Sequence, residues 1–491
     1  MTTFTVPLFV RGQLITDDLV PFASRLDHGF EAPDPVKHAH ALPLRSPVEM
    51  ADLYAVSFDE ILDVLTELGA ALAFERNAYV QEAYEACLVS NPMPASILRT
   101  GYLALPAMFT RESMRELAET QVGIDYLDGW VPRRLLDGRE IRVRAFGART
   151  LHIPAGNGGL VAGITVLRNA LTRGDTIIKA PSNDPLTAMA IARTLADIAP
   201  DHPLTKHLVV GYWKGGDEQL EEQLYKPEHI EKIVAWGGLT SVKHVTRYIQ
   251  PGLELIALDP KRSATIIGPE AFEDEHTLRE VAKRAACDVG AGNQEGCVNA
   301  RVIYVLSGTD DAGLEKANRL GQLVYESMLG LPEFISTTPK VVDRTLLENV
   351  EGSRLTEDWY RVFGGEHAEG AIIVSQLDEP VHYSTLLSGR VANIVPVESI
   401  DKVTDAVNAY TQTIGIYPES LKVQLRDTLS LFGAQRLTSL GYAASVNFTI
   451  PQDAMKPVRR MCKWIVEERC SRDRVLPPWE SPDLTPIRTT M

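Results

Sequence analysis

No run of about 18 consecutive apolar residues occurs in this chain of 491 residues, so no transmembrane helix is expected. Cysteine is scarce: the 5 copies are Cys87, Cys287, Cys297, Cys462 and Cys470. Their number is odd and no two form a Cys-x-x-Cys pair. Neither a disulfide framework nor a zinc knuckle is expected, and a reducing, cytoplasmic setting fits best. A basic surplus is missing too. Lys plus Arg number 49 against 65 Asp plus Glu, giving a net charge of −16. Nucleic-acid binding is therefore not expected, because phosphate contact wants a clustered basic face. The opening MTTFTVPLFVRGQL has no basic stretch ahead of an apolar one, so it does not read as a secretory signal.

What is present is ordinary for a globular protein, with 45% hydrophobic and 23% charged residues. The length implies about two or three domains. Residues 1–50 read as strands and loops. Ser57 opens a helix, with Glu60 completing a capping-box pattern and Ile61, Leu65, Leu68 and Leu72 on one face. Helical sequence continues to about Leu88 and returns around Arg111–Thr120.

From Ile141 the pattern alternates as a strand does and runs through His152 into the Gly-rich turn 155–159. A helix Leu160–Thr172 follows, with Gly174 as its expected terminator. Then come strand 176–179, helix 186–198, strand 208–211, helix 218–225, strand 233–236 and a helix near 242–248. Alternation of this kind predicts a parallel, doubly wound sheet that binds ligands beyond the carboxyl ends of its strands. The second half repeats the class, with strands at 265–267, 302–306, 371–374 and 394–397 and helices at 277–287, 312–328 and 401–413. The expected division is a dinucleotide-type unit over 1–262, a catalytic unit over 263–445 and a return or oligomerisation segment over 446–491.

Three constellations carry chemistry. Pro154-Ala-Gly-Asn157-Gly-Gly, with Lys179 at the next strand's end, lets backbone approach a phosphate. It is not a GxGxxG fingerprint, and glycines in a loop are more often plain turn chemistry. Trp236-Gly-Gly238-Leu-Thr240 repeats the arrangement at another strand end. Cys297 stands in a polar loop, AGNQEGCVN, ahead of a strand. A lone cysteine is more often inert than nucleophilic. With no metal-ligand spacing around it, covalent catalysis is the sharper reading. His152 and His244 are the histidines that could approach it.

In this order the pieces resemble the aldehyde dehydrogenase superfamily, and within it the LuxC-type long-chain acyl-CoA reductases. The resemblance is carried by Ile153–Gly158, by Gly174-Asp-Thr-Ile-Ile-Lys-Ala-Pro-Ser182 with Pro185-Leu-Thr-Ala188, by Ala235–Gly238, and by Asn293-Gln294 with Cys297. Gly389–Asn393 and Pro451, Lys456, Pro457 and Trp464 also fit. The resemblance implies an α/β fold with a Rossmann-type dinucleotide-binding domain, an α/β catalytic domain and an oligomerisation segment. It implies Cys297 as nucleophile and Asn157 as an oxyanion donor. Lys179 falls at the adenine-side ribose, beside Pro154 and Ser182, and Gly238 and Thr240 fall in the diphosphate loop.

Three departures refine it. The superfamily's water-activating glutamate falls on Ala257 if Lys261 marks the motif lysine, with Glu254 the carboxylate that a gap would bring into register. Ser182 stands where NAD enzymes often carry a glutamate against the ribose. Losing that charge favours NADPH, with NADH the alternative, by roughly 1–2 kcal/mol. The glutamate that holds the nicotinamide ribose is replaced near Gly389-Arg390. The expected activity is NADPH-dependent reduction of an acyl thioester to the aldehyde through a Cys297 acyl-enzyme. The acyl group would come from acyl-CoA or an acyl-activating synthetase or transferase partner, in a homodimer or homotetramer. The alternatives are a hydrolytic aldehyde dehydrogenase with Glu254 as base, and a non-catalytic acyl-carrier or scaffold subunit.

Overall fold

The computed structural model describes residues 4–24, 26, 28–136, 138–472, 477, 479 and 480. Two seven-stranded sheets organise the chain. In the first, the strands Glu254–Leu258, Lys232–Trp236, Thr150–Ile153, Thr176–Lys179 and Leu208–Gly211 lie side by side and parallel. The hairpin Leu8–Val10 and Gln13–Ile15 closes one edge antiparallel. Successive residues point to opposite faces. Ile178 and Val210 therefore enter the core beneath the helices Gly159–Thr172, Thr187–Ile198 and Phe58–Ala71. Ile177 and Val209 enter the core on the other face.

The chain crosses into the second sheet between Leu258 and Arg262. Six parallel strands run Ala371–Ser375, Val391–Pro396, Ala300–Val305, Arg262–Ile267, Thr411–Tyr417 and Arg436–Ser439, with Tyr360–Gly364 antiparallel at one edge. The helices Glu275–Gly290 and Asp311–Leu329 cover one face over Ile267, Ile303 and Val305. Ile266, Tyr304 and Ile414 face the other way.

The helix Phe58–Ala71 starts where expected. Ser57 Oγ accepts the Glu60 N–H at 3.1 Å, and Ile61, Leu65, Leu68 and Leu72 are fully buried. The sequence reading missed a helix at Ala95–Ala104 and helical turns at Pro47–Tyr54. Two expectations are corrected. The helix placed at 401–413 stops at Ala406, and Thr411–Tyr417 is a strand. Thr411, Thr413, Ile414 and Ile416 are β-branched and buried inside the sheet, so packing on both faces decides. Gly174 does not take the left-handed cap; Arg173 does, with φ 58°. A glycine is still required at 174, because a Cβ there would lie 2.5 Å from the Ala148 carbonyl oxygen.

The strand foreseen from Ile141 joins neither large sheet. Glu140–Gly147 pairs with Val131–Arg134 and, antiparallel, with Cys462–Arg469. The chain's tail thus returns onto the first half. Residues of the tail at 473–476, 478 and 481–491 lie outside the described set. Among the described residues no helix is long and apolar enough to cross a membrane.

Candidate active site

At the carboxyl ends of the first sheet's strands lies a cavity of about 770 Å³, lined by Pro154, Asn157, Lys179, Ser182 and Gly238. Five of the seven residues singled out from the sequence therefore share one space. Thr240 is exposed in the first turn of the following helix, Leu239–Val245, and does not line it. Glu295, two positions before Cys297, does. Cys297 itself is half-buried and is not among the residues that line the cavity.

The Asn157 loop is held from behind. Asn183 Nδ2 donates to the Gly156 carbonyl at 2.7 Å and Asn91 Nδ2 to the same oxygen at 2.9 Å. A Cβ on Gly156 would lie 1.8 Å from Asn183 Oδ1, so only glycine fits. Gly158 turns the chain at φ 115°. Beneath, buried Asp184 accepts from the Thr187 N–H at 3.3 Å, the Thr187 hydroxyl and the Cys87 thiol. Burial raises the Asp184 carboxyl above the usual range, and burial with the Asp184 charge drives the Cys87 thiol well up. Cys87 is inert support. Asn157 makes no hydrogen bond to any described residue, and its exposed amide faces the cavity.

Lys179 is similarly free. Its ammonium sits 5.7 Å and 5.9 Å from the ring centres of Tyr212 and Trp213, with no hydrogen bond or ion pair to a described residue. Burial pulls it down to about 8, with Glu221 acting against that shift. Glu221 is buried and taken: it binds His244 Nε2 at 2.6 Å and accepts from the Tyr248 hydroxyl at 3.0 Å. His244 therefore fastens the Leu239–Val245 helix and does not meet Cys297. His152 is buried against Asn169 Oδ1 at 3.2 Å, and burial drives it down to about 4, a neutral packed ring. Sequence reasoning missed Asn91, Asn183 and Lys214, which also lines the cavity. The Ser-Asn-Asp triplet after Lys179 was the available signal for the second of these.

The cysteine loop is strained and pinned. Gly292, Asn293 and Gln294 all have left-handed φ, at 59°, 54° and 64°. Two consecutive non-glycine residues there cost about 1–3 kcal/mol each. Side-chain amides hold the strain. Gln294 Nε2 donates to the Ala300 and Val391 carbonyls at 2.9 and 3.0 Å, and its Oε1 accepts the Val391 N–H at 3.0 Å. Asn293 Oδ1 accepts the Thr337 N–H at 2.9 Å. Asn299 Oδ1 accepts the Gly296 N–H at 3.0 Å. Ser263 Oγ donates to the Cys297 carbonyl at 2.6 Å. Burial, and then the Asp453 charge, push the Cys297 thiol above its ordinary range, while Gln412 and Arg301 pull it back.

Glu254 sits at the opposite end of the first sheet. In register it pairs with Lys232 and not with Trp236, where the cavity lies. Lys232 Nζ reaches Glu254 Oε2 at 2.7 Å, and the Arg460 guanidinium holds its other oxygen. Burial opposes the charge, yet these partners hold the carboxyl below its usual range. It is not positioned as a base for Cys297. Arg390 is buried with left-handed φ 69° and donates to the Met328 carbonyl at 2.7 Å, so it serves packing.

Comparison with known proteins bears on the family and the fold. The family model described as Acyl-CoA reductase (LuxC) matches residues 53–464. The long-chain acyl-protein thioester reductase of Vibrio harveyi is 26% identical over 473 residues, covering 94% of this chain and 93% of that protein. That of Photorhabdus laumondii subsp. laumondii is 28% identical over 370 residues, covering 74% and 72%. Among solved structures, lactaldehyde dehydrogenase from Escherichia coli superposes with a TM-score of 0.70 at 16% identity, covering 96% of this chain and 100% of that one. The NADP-dependent glyceraldehyde-3-phosphate dehydrogenase of Bacillus halodurans C-125, solved with NADP, gives 0.71 at 12% identity, covering 95% and 99%. These structural likenesses establish an aldehyde dehydrogenase-like fold.

Proposed function

The chain belongs to the LuxC family of acyl-CoA reductases, and from that premise we propose that it reduces a long-chain acyl thioester to the aldehyde with NADPH, through an acyl group carried on Cys297. The acyl donor is acyl-CoA or an acyl-protein partner, as the names of its relatives suggest. The observation that carries the reading is one cavity at the strand ends, joined through Glu295 to the cysteine loop, with a free cation and a free amide in its wall.

The residues present fit a dinucleotide. The Lys179 ammonium has no ion-pair partner among the described residues and Lys214 lines the same cavity, while Ser182 brings no negative charge. Glu295 is the cavity's one acidic residue among those described. Two cations beside a hydroxyl suit a ribose bearing a 2′-phosphate, which supports NADPH over NADH. Gly238, where an added Cβ would meet nothing within 4 Å, leaves room for a diphosphate.

The Cys297 sulfur attacks the thioester carbonyl. The Asn157 amide and the Cys297 N–H receive the oxyanion, each donor contributing about 3–4 kcal/mol in comparable sites. The acyl donor's thiol departs with the Cys297 proton, and the acyl group stays on Cys297. The hydride that this thioester needs would come from a reduced nicotinamide held in the cavity by Lys179, Lys214 and the Gly238 turn. Cys297 then leaves as thiolate while the aldehyde forms. The single carboxylate that the sequence offered as a water-activating base, Glu254, is engaged at the far end of the sheet by Lys232 and Arg460. The hydrolytic alternative therefore loses its base.

The test is single-turnover labelling without NADPH. Wild-type protein given labelled long-chain acyl-CoA should retain label in a bond cleaved by base and by neutral hydroxylamine, and released as aldehyde on adding NADPH. Cys297→Ala should retain none and lose turnover by more than about a thousandfold. An unlabelled wild type, or an equally labelled Cys297→Ala, overturns the reading.

A further inference from the structure

The two loops that would share the chemistry hang on different sheets. Asn157 follows the first-sheet strand Thr150–Ile153, and Cys297 precedes the second-sheet strand Ala300–Val305. Their mutual placement depends on what crosses from one sheet to the other. One crossing is the segment 330–343, which holds neither helix nor strand and links the helices Asp311–Leu329 and Arg344–Arg354. Its near end grips the cysteine loop. The Ile335 carbonyl accepts the Gly292 N–H at 2.8 Å, and the Thr337 N–H donates to Asn293 Oδ1 at 2.9 Å. Gly292 and Asn293 are two of the three consecutive residues with left-handed φ, so the loop is held where its backbone is strained. A turn braces this end: the Ile335 and Ser336 N–H groups both donate to the Pro332 carbonyl, at 2.8 and 2.9 Å.

The far end reaches the support of the other loop. Lys340 Nζ donates to the Leu88 carbonyl at 2.6 Å and to the Asn91 carbonyl at 3.2 Å. Both oxygens lie at the C-terminal end of the helix Ala78–Ser90. Carbonyls there lack partners within the helix, and the helix dipole favours a cation. Asn91 is fully buried. Its Nδ2 donates to the Gly156 carbonyl at 2.9 Å and to the Asn183 carbonyl at 3.0 Å. Gly156 immediately precedes Asn157. Hydrogen bonds and short stretches of chain thus lead from the cysteine loop, through residues 335–340, to the turn that carries Asn157.

We infer that residues 335–340 form a strap that fixes the Cys297 loop relative to Asn157, and that Lys340 is the positioning residue at its end. Lys340 is exposed and does not line the cavity. Removing its ammonium leaves both the thiol and the amide intact and loosens the distance between them. A reacting group displaced by about 1 Å can cost on the order of a hundredfold in rate. A surface lysine can therefore govern turnover without touching the reacting atoms. This role rests on Cys297 as nucleophile and Asn157 as oxyanion donor.

The experiment is a double-mutant cycle on the full chain, read as the rate of acyl transfer from labelled long-chain acyl-CoA to the protein without NADPH. Lys340→Met keeps the apolar stem and removes the donor. It should slow acylation about tenfold, and Lys340→Arg should recover most of that loss. Asn157→Ala should slow acylation about a hundredfold. Adding Lys340→Met to Asn157→Ala should cost less than about twofold more, because the amide that the strap positions is already gone. Iodoacetamide alkylation of Cys297, read by mass spectrometry on its peptide, needs no oxyanion donor and should be unchanged in Lys340→Met. The strap is overturned by a Lys340→Met that acylates at the wild-type rate, or that slows Asn157→Ala as much as it slows the wild type. Alkylation slowed as much as acylation overturns it too, since the damage then lies in the cysteine loop itself. If Lys340→Met does not unfold cooperatively within a few degrees of wild type, Lys340→Gln goes through the same cycle under the same criteria. An Asn157→Ala that acylates at the wild-type rate discards the catalytic reading and the strap with it. A slow Asn157→Ala beside an unimpaired Lys340→Met discards the strap alone.

Discussion

At their amino ends the strands of the first sheet run into charge clusters in which every member is engaged. Asp175 binds Arg11 and His207, and His207 also meets Asp52 at 2.8 Å. Glu231 binds Lys463 at 2.8 Å and Arg149 at 3.4 Å. Glu254 binds Lys232 and Arg460. At their carboxyl ends, the same strands finish in Lys179, Pro154 and Gly238 around an open cavity, and Lys179 has no ion-pair partner among the described residues. The two edges use similar residue types for opposite ends. Paired charges at one edge tie the hairpin Leu8–Val10 and the tail strand Cys462–Arg469 to the sheet. A half-buried charge with no ion-pair partner among the described residues at the other edge costs desolvation energy, and the natural compensation is an anionic ligand.

The contrast breaks most visibly at Asp175, which is 2% exposed. Asp175→Ala leaves Arg11 and His207 facing each other and should lower stability by about 3–5 kcal/mol, read by urea unfolding, with KM for both substrates unchanged. A fall in turnover without a fall in stability would erase the distinction between the edges. The same cluster carries a pH signature. Burial opposes charge on His207, but its hydrogen bond to Asp175, then the charges of Asp175 and Asp52, outweigh that and raise its pKa. A raised folded pKa means that the contribution is complete below the unfolded value of about 6.5 and is lost as pH rises through the folded one.

Next in size is Lys179→Met. It removes a charge-assisted contact, so the Kd for NADPH should rise by about tenfold to a hundredfold, or ~1.5–3 kcal/mol, read by fluorescence titration, with little loss of stability. In the wild type, NADPH affinity should weaken as pH rises through the lysine's value of about 8, because its charge is lost. An affinity flat from pH 7 to 9.5 counts against Lys179 as a cofactor contact. Smallest is Glu254→Gln. Glu254 is 42% exposed, and the pair is worth less than ~1 kcal/mol. Turnover should stay within a factor of two of wild type. A hundredfold loss would restore Glu254 as a catalytic base.

Much of this was readable in one dimension. The strand–helix alternation after residue 150, the glycine turn before Asn157, and Lys179 at a strand end depend on local periodicity and turn chemistry, and part of each large sheet followed from such signals, while Glu254–Leu258, Tyr360–Gly364 and Arg436–Ser439 did not. Where local signals competed, the reading failed. Residues 401–413 carry a helical pattern at their start, but β-branched residues at their end were claimed by the sheet. Arg173 took a left-handed cap expected of glycine because the close approach to Ala148 needed the glycine one place later.

By itself, the sequence determined the family, the layered α/β architecture and the residue types that could bear the chemistry, since these follow from patterns a few residues apart. Only the tertiary structure decided which of them meet. It removed Glu254, His152 and His244 from the cysteine, because each finds a partner elsewhere. It also brought Asp453 to Gln412 across 41 positions of chain. Side chains separated that widely are neighbours only when the sheet and its closing turn place them so.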